Sequence, residues 1–177
     1  NTTEYEEKLK NKMHMNVQVC TDGIFRVRFS PRDKYAENLM LRYNVQKKDW
    51  QRVDCNTTDK GGVMTITTGL YSLTIDKKDG SISVADKSGK KIVDRVNYLK
   101  GTDPLREGER FYGGGSTSRE HIQHRGELLR MWTTYQHTEI PQPMLISSNG
   151  WGVFNNTTLK HFFDIGRHQK DIMSVYN

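Results

Sequence analysis

The residues best suited to chemistry lie in the second half of the chain: His121, His124, His137 and His161, the glycines at 113–115, and the stretch Trp132-Thr133-Thr134-Tyr135-Gln136-His137. Imidazoles bind metal in strong arrays such as H-x-x-x-H or H-E-x-x-H on one helix face. None of these histidines is so spaced, and His121-x-x-His124 has no carboxylate at ligand spacing in the pattern. Surface or hydrogen-bonding roles follow, and no metal or other cofactor is expected. Gly113-Gly114-Gly115 precedes Ser116 and Thr117 but lacks the Gly-Lys-Ser/Thr ending of a phosphate loop and the glycine spacing of a dinucleotide fold. It reads as a tight turn, or a close approach of two backbones, after a strand at Phe111-Tyr112. Trp132, Thr133, Tyr135, Gln136 and His137 suit a sugar: ring faces stack on C–H surfaces, and amides and hydroxyls pair with hydroxyl groups. The alternative is that Trp132 and Tyr135 are core or interface aromatics.

These residues need a scaffold, and composition bounds it. At 177 residues the chain is read as one domain, with 34% apolar residues and a mean hydropathy of -0.80. No apolar run reaches the ~18 residues of a membrane helix. The net charge of +6 suggests nucleic acid, but Lys47-Lys48 precede Asp49, Lys77-Lys78 sit between Asp76 and Asp79, and Lys90-Lys91 between Asp86 and Asp94. Such mixed-sign turns are solvated, so neither nucleic acid nor membrane is an expected partner. Cys20 and Cys55 are too few for a disulfide framework. They pair if their strands adjoin, or stay as buried free thiols.

Phe25, Val27 and Phe29 alternate with Arg26 and Arg28, and Tyr71, Leu73 and Ile75 alternate with Ser72 and Thr74. A period of two puts one strand face inward and the other in water. Asp22-Gly23, Gly61-Gly62, Asp79-Gly80, Ser88-Gly89 and Asn149-Gly150 fall between such runs as hairpin turns. Leu99 to Arg110 reads as the longest loop. Thr3 to Glu6 resembles a capping box, so residues 1–12 are read as a short helix or an arm. Ile140, Met144, Leu145, Ile146, Trp151, Val153, Phe154, Phe162, Phe163 and Ile165 read as core. The expectation is an all-β fold of packed antiparallel sheets, a β-sandwich.

The order FYGGGS, a Trp-bearing loop, IPQPMLISSNGWG and a Phe-rich strand resembles the N-terminal domain of family 31 glycoside hydrolases, the α-glucosidases and α-xylosidases. The resemblance is tight from Phe111 onward and looser from Met13 to Val93. It implies a galactose-mutarotase-like supersandwich, with a parent enzyme that cleaves α-linked glucose or xylose with retention. It also implies a loop after Trp132 that reaches the pocket of a catalytic barrel. Many members carry an Asn-Arg-Asp triplet there; matching on Trp132 places Thr133, Thr134 and Tyr135 at those positions, so the sugar-contacting acid is absent. Glycoside hydrolysis with retention needs two carboxyls about 5–5.5 Å apart. The family's nucleophile sits in a W-x-D-M context, and Trp50, Trp132 and Trp151 are each followed by something else. The chain is therefore expected to stop before the barrel, carry no catalytic residue and hydrolyse nothing alone. A mutarotase-like epimerase would need a His pair and a Glu in one cleft. The alternative class is a stand-alone carbohydrate-binding or interaction module, distinguished by whether a large apolar patch lies exposed. Sugar chemistry and a start at Asn1 without Met point to a periplasmic or extracellular location, with a cytoplasmic one possible. N-x-S/T triplets at Asn1, Asn56 and Asn155 carry weight only in a glycosylating organism.

Overall fold

The computed structural model describes residues 2–116, 121–133 and 140–176. Contacts gather them into two compact units, Asn1–Glu37 with Leu41–Leu99, and Asn38–Met40 with Lys100–Asn177. Each unit has its own core. The strands pair antiparallel throughout, as the alternating patterns predict. The only helix among the described residues is the turn Leu39–Arg42.

In the first unit, β1 (Thr3–Lys8), β2 (His14–Thr21) and β3 (Ile24–Ser30) form one sheet. A second is a five-stranded meander of β4 (Asn56–Lys60), β5 (Val63–Thr67), β6 (Tyr71–Asp76), β7 (Ser81–Asp86) and β8 (Lys91–Val96). Met15, Val17 and Val19 of β2 meet Met64, Ile66, Leu73 and Ile75 in one core, with Phe25, Val27 and Phe29 against it. Gly61 and Gly62 both have positive φ between the paired Lys60 and Val63, the two-residue hairpin geometry expected of them.

The amino-terminal segment departs from the helix-or-arm expectation. Thr3–Lys8 is a strand, paired with β2 from Thr3↔Val19 to Lys8↔His14. Tyr5 packs on the core and Leu9 is buried in the turn that follows. Spacing of Tyr5 and Leu9 fits a helix equally well; the unpaired edge of β2 decides the matter, because tertiary pairing outweighs propensity. Both cysteines are free thiols, Cys20 buried and Cys55 half-buried with its Sγ 3.0 Å from Tyr5 Oη.

In the second unit, β10 (Phe111–Ser116), β12 (Ile140–Ser147) and β13 (Gly152–Phe154) form one sheet. The other runs β11 (Leu128–Met131), β14 (His161–Ile165), β15 (Ile172–Tyr176) and β9 (Thr102–Pro104). Between them lie Leu105, Phe111, Leu129, Leu145, Phe163 and Ile165. The Leu99–Arg110 segment, read as loop, thus contributes the edge strand β9, paired to β15. The Asn149-Gly150 hairpin forms, closed by Ser147 N–H donating to Trp151 O at 2.8 Å.

Not every apolar residue of this region is core. Along β12, Ile140, Met144 and Ile146 are 67%, 46% and 50% exposed, and Phe154, opposite Met144, is 41% exposed. Leu145 alone of the Met144-Leu145-Ile146 run is buried, because strand alternation can bury only one of two neighbours on a given face. Phe162 likewise lies off the core side, stacked on Tyr176 at 5.6 Å.

Candidate functional site

The glycine run lies within β10 rather than after it. Gly113 and Gly115 have φ of 108° and 77°, and the β10–β12 register jumps between them, from Gly113↔Leu145 to Gly115↔Pro141. Pro141 and Pro143 occupy β12 where the ladder breaks, a place that tolerates a missing donor. A Cβ at Gly113 would sit 2.5 Å from Met144 O, and one at Gly115 only 2.1 Å from Ile140 O. The glycines therefore permit close backbone approach, the second of the two sequence expectations, and their space is filled by β12.

His124 holds this bulge from the other side. It is buried, its backbone N–H donates to Phe111 O, and its ring Nε2 lies 3.0 Å from Gly113 O. A carbonyl only accepts, so Nε2 carries the hydrogen. Nδ1 lies 2.8 Å from Glu127 Oε2. His121 Nε2 approaches the other Glu127 oxygen at 4.0 Å. His121, His124 and Glu127 thus come together, as an epimerase site would require. Yet both His124 nitrogens are spent on protein partners, so it cannot take a proton from a substrate or bind a metal. His161 turns Nδ1 to Leu159 O at 2.8 Å and is likewise buried. His137 lies outside the described residues. Among the described residues no three His, Cys, Asp or Glu side chains converge on a point fit for a metal ion.

Buried carboxyls in this unit are structural. Glu109 accepts from Trp151 Nε1 at 2.9 Å, from Arg106 N at 3.0 Å and from the Ser147 hydroxyl, so it pins the β12–β13 turn. Asp103 on β9 is buried with its Oδ2 unpartnered; burial first, then the charge of Glu109, push its pKa up to about 7, against the pull of Arg106. Neither acid faces solvent, so neither can flank a glycosidic bond.

Trp132 follows directly on β11, whose Leu129 and Met131 are buried against β14. The strand is fixed by its core side, and the next residue is carried out to solvent: Trp132 is 43% exposed, and Thr133 is exposed beside it. Trp132 is therefore not a core aromatic. Tyr135, Gln136 and His137, the other residues expected to touch sugar, lie outside the described residues.

Two sheet pairs, antiparallel throughout and closed over aliphatic cores, place the chain in the class of all-β sandwich domains. Residues 14–164 match the glycosyl hydrolase 31 N-terminal galactose mutarotase-like domain, and the chain belongs to that family. No curated protein matches it by sequence. Among solved structures, a Flavobacterium johnsoniae dextranase of family 31, a mutant complexed with isomaltotriose, superposes with a TM-score of 0.80 at 19% identity, over 99% of this chain and 24% of that one. The family 31 α-xylosidase of Xanthomonas citri gives 0.74 at 20% identity, over 92% and 19%. A cycloalternan-forming enzyme from Listeria monocytogenes, in complex with a pentasaccharide substrate, gives 0.75 at 16% identity, over 98% and 20%. The chain spans about a quarter or less of each; at these identities the likeness is one of fold.

Proposed function

We propose that this domain packs on the catalytic barrel of a retaining α-glycoside hydrolase, of the α-glucosidase or α-xylosidase type, and lends its pocket a rim loop beginning at Trp132. The observation that carries the reading is the outward face of the β10-β12-β13 sheet. Ile140, Met144, Ile146 and Phe154 stand exposed there, on one side of two paired strands. Burying such a side chain is worth about 1.5–3 kcal/mol, so a free sheet face of this kind marks a covered surface in the whole protein. A barrel is the occupant this family supplies, and the sugar-active enzymes of like fold support an α-linked oligosaccharide as substrate. The contiguous apolar face favours this reading over a stand-alone binding module, whose surface would be polar.

Two variants of the whole protein test it. Ile146→Asp puts a charge on the covered face without touching the domain's core. It is expected to lower the melting temperature of the whole protein and to cut hydrolysis of isomaltotriose, while circular dichroism keeps its β signature. Unchanged melting and activity would remove the docking surface from consideration. Trp132→Ala, by contrast, is expected to raise KM about tenfold with kcat nearly unchanged, the signature of lost uniform binding. An unaltered KM would detach Trp132 from the pocket.

A further inference from the structure

We propose that the first unit carries a carbohydrate site of its own, a trough astride the β5–β6 turn that takes a short, uncharged oligosaccharide. Two open cavities, of about 500 Å³ and about 510 Å³, meet there, and Thr67 and Thr68 line both. Each falls within the roughly 300–1,000 Å³ of small-molecule sites. The ridge between them is pinned. Thr68 N–H donates to Tyr71 O at 2.8 Å, and the Thr68 hydroxyl donates to Asp22 O at 2.7 Å. Gly69 N–H donates to Asp22 Oδ1 at 2.8 Å. Thr67 stands exposed on the ridge, its hydroxyl 3.2 Å from that of Ser72.

The two cavities have matching chemistry. One offers the half-buried Tyr71 ring, the Ser72 hydroxyl, Asp86 and Lys87. The other offers the half-buried Tyr5 ring, Arg52, Asp54 and Asn56. Asp86 is fixed in place, because its Oδ1 accepts from Ser88 N–H at 2.9 Å, the Ser88 hydroxyl at 2.6 Å and Lys90 N–H at 3.1 Å. The Ser88 hydroxyl is first among the contacts that hold its pKa below the ordinary carboxylate value. Arg52, Asp54 and Lys87 are exposed, and among the described residues their side chains have no hydrogen-bond or ion-pair partner.

Each cavity thus sets one acid beside one base, so neither gathers charge of a single sign. An anion would meet a carboxylate in either, and a metal ion would meet a cation. Carboxylates only accept and Lys or Arg only donate, so the ligand needs groups that do both. Hydroxyls do both, and a tyrosine in each cavity suits the C–H face of a sugar ring. A peptide would add to a free strand edge, but β5 is paired on both sides, by β4 and β6. Two cavities sharing one ridge fit linked sugar units. That these are α-linked glucose rests on the function proposed above.

The test is hydrogen exchange in the whole protein, with isomaltotriose as probe and its hydrolysis followed in parallel. Isomaltotriose is expected to slow exchange at 67–72 and 86–90. Thr67→Arg sets a long cation on the shared ridge and is expected to abolish that protection. Arg52→Ala with Lys87→Ala removes an exposed donor from each cavity and is expected to raise the isomaltotriose concentration needed for protection about tenfold or more. Hydrolysis should persist in both variants, since none of these residues belongs to the segment beginning at Trp132. Hydrolysis without protection of these segments overturns the site and leaves the functional reading standing. So does protection that survives both variants, or protection by triglycine equal to that by isomaltotriose, which would make this a peptide groove. Protection without hydrolysis would keep the site and overturn the functional reading; neither would overturn both.

Discussion

Replacing Gly115 by alanine is expected to cost the domain about 4 kcal/mol or more, a large part of the ~5–15 kcal/mol that holds a typical domain folded. Two effects add. The residue's φ is 77°, where an L side chain is strained by about 1–2 kcal/mol. The new Cβ would also stand 2.1 Å from Ile140 O and 2.6 Å from Gln142 N, both backbone atoms that cannot rotate aside. Relief requires β12 to leave β10, which breaks the register on both sides of the bulge and loosens the packing of Phe111 and Leu145. Gly89→Ala is the matched control: its φ is 83°, but nothing lies within 4 Å of the added carbon. It is expected to lose only the conformational part. Denaturant midpoints of the two variants, with hydrogen exchange at β12 as the local probe, measure the difference. Equal losses would mean that β12 yields freely, and that the glycines serve the turn alone.

The same bulge shows what a sequence can and cannot disclose. Alternation of Phe25, Val27 and Phe29, or of Leu73 and Ile75, names both the strand and its inward face, because one physical period governs both. Gly61-Gly62 names its turn for a similarly local reason. The Met144-Leu145-Ile146 run does not. Consecutive apolar residues satisfy a strand buried on both faces as readily as one with a covered face and a bare one, and the choice depends on what else is present. Thr3–Lys8 fails for a related reason: its partner, β2, lies beyond a turn and is invisible to local spacing. Of the candidate site, Trp132 is legible in the sequence as an aromatic suited to a sugar, while its exposure follows from Leu129 and Met131 anchoring β11.

Asp103 sets the second large effect, a dependence of stability on pH. Its folded-state pKa of about 7 stands above the ordinary 3.8, with burial as the first cause and the Glu109 charge as the second. The folded state thus binds the proton more tightly than the unfolded one. The stabilisation from this linkage is complete below about pH 4 and drains away as pH rises through 7, amounting to a few kcal/mol for a shift of that size. Asn has the shape of the protonated acid and no charge to bury. Asp103→Asn is therefore expected to be about 2–4 kcal/mol more stable than the parent at pH 8. Near pH 5 the two should lie much closer. Subtracting the two stability curves removes every contribution that the two proteins share. Amide exchange in β9 and β15, where Asp103 pairs with Met173, localises the effect to the second unit. Parallel curves from pH 5 to 8 would show that Asp103 is ionised in the fold throughout. A buried carboxylate would then need a donor at the oxygen now left without one, so the mutant comparison tests the protonation of Asp103 and the solvation of its site together.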